Sequence, residues 1–149
     1  RVAVGRDPRR SGPELAAAVV EGLAEGGAAE VADFGLATTP SLFMGCVTPG
    51  FAYDGGIMLT ASHLPPERNG LKFFTPRGGL ASPDIRQLLQ EAQGLAAEGP
   101  PPPPALEAQQ VDFMAVYAAQ LRDIIRRGVA GLPPGDGEGA AAAAAAAAA

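Results

Sequence analysis

Thr60-Ala61-Ser62-His63, followed by Pro65-Pro66, Asn69-Gly70 and Lys72, is the stretch of this 149-residue chain whose residue types and spacing could do chemistry. An apolar run, Ile57-Met58-Leu59, stops abruptly on this small polar loop. A run of that kind reads as a short strand buried on both faces in the middle of a parallel sheet. In open α/β sheets ligands bind outside the carboxyl ends of the strands, so Ser62 is presented to solvent. Pro65 and Pro66 fix two φ angles, and Asn69-Gly70 is the strongest short turn signal in the chain. That turn predicts a return strand Leu71 to Phe74, which brings Lys72 toward Ser62.

Three chemistries compete for a presented serine. A hydrolase nucleophile needs an elbow of the type G-x-S-x-G, and Thr-Ala-Ser-His-Leu does not supply one. The single histidine, His63, directly follows Ser62, a position ill suited to accepting its proton while a third group orients the ring. No G-x-x-x-x-G-K phosphate loop occurs either. A phosphate carried on Ser62 is the third possibility. It would bring a charge of about −1.5 to −2 and three strong acceptor oxygens, for which loop N–H groups, Lys72 and a divalent cation are suitable neighbours. Against it stands the plain reading, in which Ser62 is a turn residue and Lys72 a solvated strand residue; from the residues alone both remain open.

The elements that must position this loop are legible as alternating signals. Arg1 to Gly5 reads as a strand with nothing before it, which suggests a fragment. Pro13-Glu14-Leu15 opens a helix with Leu15, Val19 and Leu23 on one side, ending at Gly26-Gly27. Glu30 to Phe34 reads as a second strand, Gly35 to Pro40 as a loop, and Ser41 to Cys46 or Val47 as a short helix. The order strand, helix, strand, helix, strand predicts a three-layer α/β/α domain with a mixed, mainly parallel sheet. Past the return strand, Ser82-Pro83 opens a helix whose buried stripe would be Ile85, Leu88, Leu89, Ala92 and Leu95 or Ala96. Gly99 to Pro104 is a polyproline stretch. A later helix carries Phe113, Val116, Tyr117, Leu121, Ile124 and Ile125 on one face, with Arg126 and Arg127 in its last turn and Gly128 as its stop. The expected organisation is a core over 1–98 with the serine loop at 60–65, a proline-rich linker over 99–108, a helix over 109–128 and a disordered Gly/Pro/Ala tail over 129–149 that has no hydrophobic period.

Composition bounds the partners. A net charge of −5 with basic residues scattered, apart from Arg6 to Arg10, argues against a nucleic-acid partner. Ala140 to Ala149 is half of the ~20 apolar residues needed to cross a bilayer, so no membrane anchor is expected. Cys46 stands alone, which excludes a disulfide framework and a cysteine metal site and suits a reducing compartment.

At the serine loop the sequence resembles the α-D-phosphohexomutase superfamily, the phosphoglucomutases and phosphomannomutases. Their signature T-A-S-H-N-P followed by N-G-x-K stands here as Thr60-Ala61-Ser62-His63-Leu64-Pro65 with Asn69-Gly70-Leu71-Lys72. Val4-Gly5-Arg6-Asp7 with Arg9 to Leu15, Gly35 to Pro40, and Val111-Asp112 to Ile124 agree with the family's first domain. The resemblance implies that Ser62 is a phosphoserine exchanging a phosphoryl group between C1 and C6 of a hexose phosphate, with hexose 1,6-bisphosphate as activator. It implies that Ser62 ligates Mg2+ through a phosphate oxygen, and that His63 and Lys72 give acid/base and charge-stabilising support. Arg6 and Asp7 match a family motif and read as loop-bracing. Leu64 replaces the usual Asn, a form that resembles a plant and algal branch and leans toward a plastid. The family's D-x-D-x-D metal motif is absent, so the resemblance implies that domains II to IV of a parent chain supply the other metal ligands, sugar recognition and phosphate grip, and that this segment alone is inactive. The rival expectation is a non-catalytic phosphosugar-binding or interaction module.

Overall fold

The computed structural model describes residues 1–96 and 106–133. Strand β1 (Val2–Arg6) leads into helix α1 (Gly12–Glu25), strand β2 (Val31–Leu36), helix α2 (Thr39–Val47) and strand β3 (Gly55–Leu59). Strands β4 (Leu71–Thr75) and β5 (Gly78–Gly79), helix α3 (Ser82–Ala96), strand β6 (Gln109–Gln110) and helix α4 (Phe113–Ala130) follow. The strands form one sheet in the order β5-β4-β3-β1-β2-β6. The β3-β1, β1-β2 and β2-β6 pairs are parallel, and β4 is antiparallel to β3 and to β5.

Alternation along the strands builds the two faces. Ala3, Ala32, Met58 and Phe74 point to one side, where Leu42 of α2 and Phe113 and Val116 of α4 join them. Val4, Val31, Ile57, Leu59 and Phe73 point to the other, against Leu15, Val19 and Leu23 of α1. The fold is thus the mixed α/β/α arrangement expected, with α1 opposite α2 and α4. The chain steps from β1 outward to β2, then back across β1 to β3. The carboxyl ends of β1 and β3 therefore flank a topological switch point, the place where such sheets bind ligands.

Close backbone approach fixes α2 on the sheet. A Cβ on Gly56 would lie 3.1 Å from the Leu42 carbonyl oxygen and 3.3 Å from Cys46 Sγ, so no larger residue fits there without displacing the helix. The helix begins at Thr39, two residues before the expected Ser41, because the Thr38 side chain accepts from Ser41 N–H and the Ser41 hydroxyl accepts from Thr38 N–H. Pro40 fits the first turn, where no N–H is needed.

Several expectations are corrected. Asn69-Gly70 is not the tight turn of the hairpin. The chain turns instead at Ala61–Leu64 and Pro65–Arg68, closed by Leu64 N–H to Ala61 O and Arg68 N–H to Pro65 O, both at 3.0 Å. Asn69 Nδ2 is engaged by Ser11 Oγ at 3.0 Å. The stripe on α3 is not buried: Leu88, Leu89 and Leu95 are exposed, Leu89 by 59%, and no residue of the helix is buried. Periodicity placed these residues on one face, while the sheet beneath β1, β2 and β3 is already covered by α1. On α4 only Phe113 and Val116 are buried, and Leu121, Ile124 and Ile125 are exposed. Residues 109–110, expected in that helix, pair instead with β2 as an edge strand, so the helix starts at Phe113 with Asp112 capping Ala115 N–H. It runs past Gly128 to Ala130, and Gly131, with a φ of 66°, forms the left-handed cap. Val129 and Ala130, expected in the tail, are therefore helical. The polyproline stretch 99–104 lies outside the described residues, as does 134–149. No helix among the described residues is long and apolar enough to cross a membrane.

Candidate active site

The loop between β3 and β4 is held in a single shape by its two strands and by the turn after β1. In the antiparallel register Leu59 faces Leu71 and Met58 faces Lys72. Thr60 N–H extends that ladder to Gly70 O at 2.9 Å. The register puts the Lys72 side chain within reach of the loop, and its Nζ donates to Ser62 Oγ at 2.9 Å. His63, also exposed, forms no hydrogen bond among the described residues. The structure thus brings Lys72 to Ser62 and leaves His63 as an exposed neighbour.

Ser62 has φ 53°, in the left-handed region where a residue with a Cβ is strained by about 1–2 kcal/mol. Hydrogen bonds on both sides of it sustain that conformation. Its N–H donates to Thr60 Oγ1 at 2.9 Å, and Thr60 Oγ1 donates in turn to Asp7 Oδ2 at 2.8 Å. Its carbonyl accepts from Arg9 Nη2 at 2.9 Å. Strain of this kind, held by surrounding groups, is a feature of functional sites.

Arg9 is the residue that sequence reasoning undervalued. Its Nη1 donates to Pro65 O at 2.7 Å and Arg68 O at 2.9 Å, and its Nη2 also reaches Leu64 O at 3.1 Å. The Nε donates to Asp7 Oδ2 at 2.9 Å in an ion pair that leaves the Arg9 side chain 10% exposed. Asp7 therefore braces the loop as expected, but through Arg9 and Thr60, with no bond to Arg6. The available signal was local: Asp7 and Arg9 lie two apart just after a strand, in the turn beside the serine loop. The Leu64 side chain, 50% exposed, takes no part in this clamp, because Arg9 grips the Leu64 main-chain carbonyl.

Burial pushes the Asp7 carboxyl up, but the hydrogen bonds from Thr60 and Arg9 more than offset this and hold it below its ordinary value of 3.8. A carboxyl depressed in the folded state contributes its full stabilisation above the unfolded pKa and loses it as pH falls through the native one. Thermal denaturation curves collected between about pH 5 and about pH 1 should therefore decline less steeply for Asp7→Asn than for the parent sequence. Parallel curves would mean that Asp7 contributes nothing to acid sensitivity.

Comparison with known proteins places these features. The family model described as phosphoglucomutase/phosphomannomutase, alpha/beta/alpha domain I, matches residues 1–96. The chain belongs to this family. A phosphomannomutase/phosphoglucomutase of Pseudomonas aeruginosa is 39% identical over 127 residues, covering 83% of this chain and 25% of that protein. A phosphoglucosamine mutase of Kineococcus radiotolerans is 51% identical over 84 residues, 56% of this chain and 18% of that protein. Among solved structures, a phosphoglucomutase/phosphomannomutase family protein from Burkholderia thailandensis matches with a TM-score of 0.66 at 28% identity, over 80% of this chain and 26% of that one. The chain thus spans about a quarter of the length of the relatives that it matches over most of its own.

A metal fits this domain only in part. Among the described residues no group of three or more His, Cys, Asp or Glu side chains could hold an ion. Hard cations such as Mg2+ take several oxygen ligands, and one serine-borne phosphate would supply few of them. Any Mg2+ bound beside Ser62 would need carboxylates from outside the described residues.

Proposed function

We propose that this chain is the phosphoserine-bearing domain of a phosphohexomutase, moving phosphate between C1 and C6 of a hexose phosphate. The observation that carries the proposal is the 2.9 Å contact of Lys72 Nζ with Ser62 Oγ, on a strained loop at the switch point of a sheet in this family. In the forward step a sugar hydroxyl oxygen attacks the phosphorus carried by Ser62. The bond from phosphorus to Ser62 Oγ breaks, and Oγ leaves with the electron pair. The Lys72 ammonium stands where that negative charge develops, an arrangement that favours the transition state over the ground state. The hydroxyl proton passes to a nearby base, for which the exposed His63 imidazole is the candidate in this loop. Reversal of the same step, with the phosphoryl of a hexose 1,6-bisphosphate moving to Oγ, restores the phosphoserine.

The segment alone is read as inactive, since sugar recognition, the grip on the non-transferring phosphate and further ligands for Mg2+ would come from the rest of a longer parent. The test is intact-mass and peptide mass spectrometry of the full-length parent after incubation with glucose 1,6-bisphosphate and Mg2+. One phosphate is expected on Ser62, discharged by excess hexose monophosphate and absent from Ser62→Ala. A Ser62 that stays unmodified, or a phosphate that never discharges, would favour a non-catalytic phosphosugar-binding module.

A further inference from the structure

We propose that Arg9 is a positioning residue for Ser62: it fixes the left-handed conformation of the serine, and thereby aims Oγ at Lys72, without touching the transferred group. This rests on the phosphoserine reading above.

The donor inventory of the side chain carries the inference. A guanidinium has five N–H donors in a rigid planar fork. In Arg9 each has an oxygen: the carbonyls of Ser62, Leu64, Pro65 and Arg68, and Asp7 Oδ2. No donor is left for a phosphate or a sugar hydroxyl, and the paired Asp7 cancels much of the charge that would attract one. Arg9 is an arginine beside a phosphate-transfer site whose hydrogen-bonding capacity is spent on the protein itself.

The contacts also form a closed ring around Ser62. Its carbonyl is tied to Arg9, and its N–H is tied to Thr60 Oγ1, then to Asp7, and back to Arg9 Nε. Both backbone polar groups of Ser62 are therefore referred to one Asp7–Arg9 pair, which belongs to the turn after β1. Rotation about either backbone dihedral of Ser62 must break a member of the ring. Without the ring, the serine would relax toward the negative φ that an L-residue favours, and its Cα–Cβ bond would swing away from Lys72. Lysine cannot stand in for Arg9, because an ammonium offers three donors from one point where the loop presents four carbonyls spread across a fork.

The experiment pairs a conformational readout with a chemical one on Arg9→Lys and Arg9→Ala. The 13Cα and 13Cβ chemical shifts of Ser62 in this chain report its backbone conformation. Intact-mass time courses with glucose 1,6-bisphosphate and Mg2+ report phosphate loading of Ser62 in the full-length parent. We expect both variants to keep folded amide shifts in β1 and β3 but to lose the left-handed signature at Ser62, and loading to slow about a hundredfold, as for a reacting atom displaced by ~1 Å. Arg9→Lys should recover little of the rate. Native Ser62 shifts in either folded variant would overturn the proposal, as would altered shifts with an unchanged loading rate. Unfolding of both variants would overturn it too, because Arg9 would then hold the domain together and not the serine. If the unmutated parent takes up no phosphate, the phosphoserine reading fails, and the Ser62 shifts alone decide whether Arg9 sets the loop.

Discussion

Replacing Lys72 by methionine is expected to slow phosphate loading of Ser62 by about 100- to 1000-fold, the usual effect of removing one donor aimed at developing charge. The side chain is exposed and its recorded partner is Ser62 Oγ, so the substitution leaves the core untouched. Unfolding free energy should therefore change by no more than the amount typical of surface substitutions, about 0.5 kcal/mol either way. Methionine keeps an unbranched apolar stem of similar reach and lacks the ammonium. Arginine at the same position should recover part of the rate, since charge persists while the point-like geometry is lost. Rapid-quench time courses of the full-length parent with glucose 1,6-bisphosphate would measure this. Loading of Lys72→Met at the unmutated rate would remove Lys72 from the mechanism and leave Ser62 without a charge-stabilising side chain from this domain.

Phe113→Ala should be the most destabilising single truncation in the aromatic part of the core, by about 3–5 kcal/mol. The Phe113 ring is fully buried, stacked on Phe34 at 4.7 Å and meeting Phe51 edge-on at 4.8 Å. Phe34 in turn makes an edge contact with Tyr53 at 5.7 Å, so four rings interlock. The site cannot collapse easily around a missing ring, because Gly45 lies against the edge of Phe34 so closely that a Cβ there would sit 2.8 Å away. Only Val116 of the same helix is buried beside it, so Phe113 is the main anchor of α4 on the domain. Loss of this size is a large part of the ~5–15 kcal/mol that a domain possesses. A fall in Tm of roughly 10–20 °C is expected by differential scanning calorimetry. Hydrogen exchange should show protection lost first in α4 and β6. A shift under about 2 °C would mean that α4 is not held by this ring.

The sites of these two predictions differ in how visible they were in the sequence. Lys72 could be placed near Ser62 from local information alone: a buried run, a stiffened loop and a return strand fix the register, and register fixes which side chain faces the loop. The placing of Pro13 in the first turn of α1 and of Leu15, Val19 and Leu23 on its sheet-facing side follows from equally short-range rules, whereas the Thr38–Ser41 cap that starts α2 at Thr39 was missed. The Asn69-Gly70 turn misled because Gly70 already accepts from Thr60 N–H as an extension of the β3–β4 ladder, so the reversal is made upstream at Ala61–Leu64 and Pro65–Arg68.

By itself, then, the sequence determined the alternation of strands and helices, the serine loop at the end of a buried strand, and the lysine returned to it, because each depends on periods and turns spanning a few residues. The tertiary structure alone decided which apolar faces are covered. The pattern on α3 names a face but not what lies against it, and the pattern on α4 continues past the two residues that reach the core. It also decided that Gln109 and Gln110 become an edge strand on β2, since pairing across so long a separation leaves no mark in a polar dipeptide. The clamp of Arg9 belongs to this second group. Its contacts join residues 53 to 59 positions apart, and they exist only because the chain reverses across β1 and sets the turn after β1 beside the loop after β3.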